Sequence, residues 1–170
     1  MTWYEWIFWI VWAVGILIIL AYAFVLPFGA PYLPTMKKDR EKALDLLNLK
    51  LGQTLVDLGS GDGSLLILAA ERGLYAVGYE INPILWLISR IRTLRYGRKV
   101  KIKLKSLWRA DLRKADGVFV FLITHKMEQL DKFLTNKKTK KPLPVVSHAF
   151  EIPGKKPLKK SGPMLLYIYK

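Results

Sequence analysis

Three hydrophobic patterns succeed one another along the chain. From Trp6 to Leu26 the residues are almost all apolar, and no charge occurs between Trp6 and Met36. Residues 37–49 (KKDREKALDLLNL) then place Ala43, Leu44 and Leu47 at helical spacing, with Leu51 as the next member, and predict an amphipathic helix. Beyond it, apolar runs alternate with helical periods. TLVDLG (54–59), YAVGYEI (75–81), KVKIKLKSL (99–107), GVFVFLI (117–123), LPVVSHAF (143–150) and MLLYIYK (164–170) read as strands. SLLILAAERG (64–73), PILWLISRIRTLRYG (83–97) and KMEQLDKFL (126–134) read as helices; Pro83 suits a first turn, and Gly73 and Gly97 suit ends.

Such alternation predicts an α/β fold, Rossmann-like and doubly wound around a mostly parallel sheet. Only 164–170 is legible as a strand after the fifth, so a truncated sheet is an open alternative. The basic stretches TNKKTKKP and PGKKPLKKSGP read as solvated loops. Three units are therefore expected: an anchor over 1–26, a Pro-rich hinge with the amphipathic helix over 27–50, and a ligand-binding domain over 51–170.

The first pattern is long enough to cross a hydrocarbon core of roughly 30 Å as one helix. Trp3, Tyr4, Trp6, Trp9 and Trp12 crowd one end and Tyr22, Phe24 and Phe28 the other, as aromatic rings do at membrane interfaces. A cleaved signal peptide would want a basic start, which is lacking, and "FGAP" sets a proline directly after the small residue. PFGAPYLPT (27–35) stops the helix.

Charge orients this anchor. All 28 basic residues follow Met36, against 12 of the 13 acidic ones, so the remainder carries about +16 (28 minus 12). Positive segments stay on the cytoplasmic side, which predicts a single-pass membrane protein with its domain in the cytoplasm. The same excess suits an anionic lipid surface, and with an anchor adjacent that reading is simpler than nucleic acid, which is not expected as a partner. No metal-ligand set is legible; cysteine is absent and there are two histidines.

The chemistry lies in VDLGSGDGS (56–64). No lysine follows Gly63, so the loop is not a phosphate-gripping G-x-x-x-x-G-K-[ST]. Gly59 and Gly61 fit a dinucleotide fingerprint, but its third glycine position holds Ser64. Asp57 and Asp62 would repel a pyrophosphate yet favour a cationic ligand, and S-adenosylmethionine carries a sulfonium and an ammonium. Glu80 ends the second strand, where a carboxylate can accept from both ribose hydroxyls.

VDLGSGDGS followed by AVGYEINP resembles the donor motifs of class I S-adenosylmethionine-dependent methyltransferases. With the anchor, the PYLPT segment and SLWRADL (106–112), the chain is similar to the small membrane-anchored protein-lysine methyltransferases that modify the ATP synthase c subunit and the adenine nucleotide translocase. The resemblance implies that Asp57, Gly59, Ser60, Gly61, Asp62 and Gly63 line the methionine half of the donor. It implies that Glu80 holds the ribose, with Ile81 and Asn82 beside the adenosine. Ser106 and Leu107 fall where the family meets adenine; it often has an acid at the position of Ser106. Tyr32, Pro34 and Thr35 match its pre-domain segment, which implies a lid over donor or substrate.

His125, after the fourth strand, is the candidate base. Trp108 and His148 read as structural. No [DN]PP[YFW] follows the fourth strand, which counts against methylating an exocyclic base amine. The expected activity is methylation of an accessible lysine on a protein near the membrane. Methylation of a lipid head group or quinone is the alternative, and a non-catalytic donor-binding scaffold is the alternative of another class.

Overall fold

A computed structural model describes residues 2–25, 33–137 and 141–170. Most of the hinge (27–31), Tyr32 and positions 138–140 of the first basic loop lie outside the described residues.

The chain opens with α1 (Trp3–Val25) and α2 (Lys37–Leu47), followed by β1 (Thr54–Leu58), α3 (Ser64–Glu71), β2 (Tyr75–Glu80) and α4 (Pro83–Thr93). After β3 (Val100–Leu104) and β4 (Gly117–Val120) come α5 (Met127–Thr135), β5 (Leu143–His148), β6 (Lys159–Ser161) and β7 (Met164–Tyr169). The seven strands form one sheet in the order β3-β2-β1-β4-β5-β7-β6. The first five run parallel, and β7 is antiparallel to both neighbours. The order reverses at β1, so the crevice beyond its carboxyl end is where ligands of such sheets bind.

A truncated sheet is therefore corrected. The missing strand, β6, is Lys-Lys-Ser inside a stretch read as a solvated loop, and it pairs Ser161 with Met164 across Gly162. Exposed lysines on an edge strand discourage further pairing, and they also remove the alternation by which a strand is recognised. Two helix ends also move. Asn48 takes a left-handed conformation (φ 48°) and closes α2, leaving Leu51 exposed outside it. α4 stops at Thr93, and residues 94–99 continue as 3₁₀ turns kinked at Gly97.

Both faces of the sheet are covered. Ala43, Leu44 and Leu47 of α2 and Leu65, Leu66 and Ala69 of α3 pack with Leu55, Ala76 and Phe119 on one face. Met127, Leu130 and Leu134 of α5 pack with Val56, Leu58 and Val118 on the other. Central β1 and β4 are buried on both sides, which is why their sequences read as continuous apolar runs. Each fully buried leucine here contributes roughly 1.5–3 kcal/mol.

α1 stands apart. At 23 residues it is about 35 Å long and apolar enough to cross a membrane by length and composition. Its residues from Trp3 to Leu20 are exposed apart from half-buried Gly15, and the helix approaches α4.

Candidate active site

Three carboxylates converge where β1 and β2 end. Asp57 is buried in β1, in register with Gly78 of β2. The loop that follows turns at once: Gly59, Gly61 and Gly63 all have positive φ (105°, 52° and 78°), which side chains tolerate poorly. The N–H groups of Gly59 and Ser60 both donate to the Tyr79 carbonyl (3.0 Å each), tying loop to β2. Glu80 accepts from Gly61 N–H (2.8 Å) through one carboxylate oxygen and from Asn82 N–H (2.7 Å) through the other. Asn82 then caps α4, its side-chain oxygen accepting from Ile84 N–H (2.9 Å).

Burial dominates the electrostatics. It pushes Asp57 up to about 8, and the neighbouring charges of Glu80 and then Asp62 add to the shift. Glu80 is raised by burial too, against the backbone hydrogen bonds it accepts. At Asp62 burial is outweighed: the Ser64 hydroxyl and N–H donate to it, Arg92 pairs with it, and its carboxyl stays below the ordinary value. Asp57 Oδ1 and Ser60 Oγ are buried with no hydrogen-bond partner. A buried acceptor left unmatched costs about 1–3 kcal/mol, so this cluster fits a ligand that brings donors and positive charge.

One contributor escaped the sequence reading. A Cβ on Gly78 would lie 2.5 Å from Ser60 Oγ and 2.7 Å from Leu66 Cδ1. The glycine lets the loop and α3 settle on β2, and a glycine inside an apolar strand is the signal that such an approach leaves.

The adenine-side segment joins the same edge. Lys105 N–H donates to the Glu80 carbonyl (3.0 Å), which sets Ser106 and Leu107 just past the end of β3. Both are half-buried; Ser106 precedes a 3₁₀ turn over Leu107–Arg109, and Ile81 lies between Glu80 and Asn82. Trp108 packs edge-on against Phe133 (centroids 5.8 Å apart), on the face away from α2 and α3. Asp111 is exposed and paired with Arg113 (2.7 Å).

A second group gathers at the carboxyl ends of β4 and β5. Phe121, just past β4, meets the His148 ring edge-on at 4.1 Å and stacks near Phe150 at 6.4 Å. Phe150 N–H donates to the His148 carbonyl (2.8 Å) across Ala149, whose φ is 64°, a tight three-residue turn. Ser147 Oγ donates to the Phe150 carbonyl (2.8 Å). Burial holds His148 below its ordinary value, against the pull of the Asp39 carboxylate in the first turn of α2, and its Nδ1 is buried without a partner. His125, by contrast, is exposed on a 3₁₀ turn over Thr124–Lys126, and none of the described hydrogen bonds links it to the acid cluster. Thr35 is half-buried beside exposed Pro34, and its carbonyl accepts from Arg40 (2.5 Å) at the start of α2.

Comparison with known proteins bears on this geometry. Residues 57–159 match the model of the ANTKMT methyltransferase domain. Over 140 residues the chain is 35% identical to the lysine N-methyltransferase of the ATP synthase c subunit from Homo sapiens, covering 76% of this chain and 60% of that protein, so it spans about three fifths of that relative's length. Over 131 residues it is 34% identical to a protein-lysine N-methyltransferase of Saccharolobus islandicus, covering 75% of this chain and 81% of that one. The solved structure of an RNA methyltransferase from Salinibacter ruber, in complex with S-adenosyl-L-homocysteine, superposes with a TM-score of 0.72 at 29% identity, covering 81% of this chain and 92% of that one.

Proposed function

The chain belongs to the ANTKMT methyltransferase domain family, and on that premise we propose that it is an S-adenosylmethionine-dependent protein-lysine N-methyltransferase held at a membrane by α1. The observation that carries the reading is the buried acid cluster on the glycine loop, with Asp57 Oδ1 and Ser60 Oγ lacking partners. S-adenosylmethionine supplies a methyl group on a sulfonium, and its transfer is an in-line displacement. Asp57 and Asp62, with the backbone of Gly59 to Gly63, face its cationic half; Glu80 takes the ribose hydroxyls. Ile81, Asn82, Ser106 and Leu107 flank the base.

The acceptor side falls to the second group. A lysine must lose a proton before it can attack, and its ordinary pKa near 10.4 leaves little free amine at neutral pH. Phe121 and Phe150 provide an apolar approach in which desolvation lowers that value. Two histidines can receive the proton. His148, held neutral by burial, is the better placed, and His125 is the exposed alternative. Thr35 is assigned to a lid over the acceptor, because it lies just before α2, whose Asp39 acts on His148; Tyr32, outside the described residues, is assigned with it only from the resemblance of its segment.

The acceptor lysine is assigned to a membrane protein at the cytoplasmic surface, from the apolar α1 and the lysines that open α2. Membranes from a strain lacking the protein, incubated with it and with methyl-tritiated donor, should yield label in protein that hydrolyses to methyllysine. Label in extracted lipid or in RNA instead of protein would overturn the lysine assignment. Protease added outside sealed cells should spare the domain; digestion would overturn the orientation.

A further inference from the structure

α4 is built inside out. Its face toward the sheet holds Leu85, Ser89 and Thr93, all buried. The two hydroxyls bond back to their own helix, Ser89 Oγ to the Trp86 carbonyl (2.8 Å) and Thr93 Oγ1 to the Ser89 carbonyl (2.8 Å). Its outward face, running into the following turn, holds Leu87, Ile88, Ile91 and Leu94, exposed by 52%, 40%, 60% and 68%. That spacing is a single helical stripe, and on a surface helix the stripe belongs against the core. An exposed apolar stripe of this size marks a partner or a membrane.

Charge selects between them. Between Glu80 and Asp111 the sequence has nine basic residues and no acid. Arg90, Arg98 and Lys99 are exposed beside the stripe, while Arg92 is drawn to Asp62 and Arg95 to Glu71. A second copy of a chain with net charge +15 would bring like charge to this face. An apolar stripe with a basic rim is the pattern of helices that lie in the interface of an anionic bilayer. The apolar α1 also approaches this same helix.

We propose that the outward face of α4 and the turn after it docks in the headgroup–acyl boundary of an anionic bilayer, as a second membrane contact that lays the domain on its side. The inference rests on the reading of α1 as a membrane helix. Its consequence is positional. Asn82 both caps α4 and borders the acid cluster, and the helix is only about 16 Å long, so docking holds the rim of the donor site near the headgroups. A lysine would then be reached at the surface rather than on a distant soluble domain.

The chain has no cysteine, so single nitroxide labels can be set at Ile16→Cys, Ile91→Cys and Lys156→Cys in the full chain. In nanodiscs of phosphatidylcholine with phosphatidylserine, collisions with oxygen and with a water-soluble nickel chelate report depth. The labels at 16 and 91 should both favour oxygen, and the label at 156 should favour nickel. In phosphatidylcholine alone the oxygen preference at 91 should fall at least threefold while that at 16 holds. A label at 91 as nickel-accessible as that at 156, with 16 still in lipid, would overturn the docking and leave the anchor standing. A nickel-accessible label at 16 would overturn the anchor and this inference with it. Dipolar broadening between copies labelled at 91 would overturn the docking in favour of self-association. Leu87→Cys supplies a second reporter on the same stripe if the label at 91 disturbs α4.

Discussion

The carboxyl ends of β1 and β2 and the carboxyl ends of β4 and β5 form the two halves of the proposed site, and they are built on opposite plans. The first half is contiguous, acidic and held by backbone. Five residues of loop (59–63) carry its glycines, and nearly every bond that fixes it runs from an N–H, as at Glu80. The second half is scattered and aromatic. Phe121, His148 and Phe150 meet only because β4 pairs with β5, and Asp39 in the first turn of α2 acts on His148 there. A donor whose chemistry does not vary can be held by backbone geometry, whereas an acceptor must be matched by side chains.

The largest effect should come from breaking the backbone plan. Gly61→Arg puts a long side chain into the loop at a φ of 52°, and donor affinity should fall at least about 100-fold, equivalent to about 2.7 kcal/mol, with the far-ultraviolet circular dichroism retained. Loss of the fold in step with binding would mean that the loop is structural.

Asp57→Asn should separate stability from binding. With its pKa raised to about 8 from 3.8, the native state holds a proton that the unfolded chain releases, so stability falls as pH rises between those values. Asparagine carries no such proton. The variant should equal its parent near pH 4 and exceed it by a few kcal/mol at pH 8, by denaturant titration, while losing donor affinity. A gap independent of pH would contradict the burial argument.

Gly78→Ala should sharpen the dependence of the loop on β2. Its methyl crowds Ser60 and Leu66, costing about 1–3 kcal/mol of stability, and donor affinity should drop about tenfold by calorimetry. In the acceptor half, His148→Gln should lower kcat with donor Kd within about twofold, because the ring touches Phe121 and not the acid cluster. If His148 is the base, the parent's rate should rise with pH through a value below the ordinary histidine range, and the variant should lose that limb. A kcat retained in His148→Gln but lost in His125→Ala would move the role to His125. Smallest of all, Ala149→Gly should stabilise the fold by about 1 kcal/mol, since alanine is disfavoured at a φ of 64°.

The two plans also explain what could be read without coordinates. Asp57, the glycine loop, Glu80 and Asn82 sit within one strand–helix–strand unit, where periodicity and turn chemistry are local signals. The central strands were legible for the same reason, being apolar throughout. β6 was not, because an edge of two lysines and a serine has no apolar alternation. His148 reads as one more strand residue until β4 and β5 are paired and Phe121 is brought to its edge. Gly78 needs Ser60 placed beside it before its hydrogen side chain has a reason. The outward stripe of α4 was visible as apolar periodicity, but the direction it faces depends on which residues the sheet buries.

The acid cluster as a seat for a cationic nucleoside is tested most directly by titrating the full chain at pH 7 with S-adenosylmethionine and with NAD, each in two buffers of different ionisation enthalpy. The account predicts that S-adenosylmethionine binds at least about tenfold more tightly, equivalent to about 1.4 kcal/mol, and that its binding releases a proton from Asp57, lost in Asp57→Asn. Tighter binding of NAD, or binding of S-adenosylmethionine with no proton released, would contradict it.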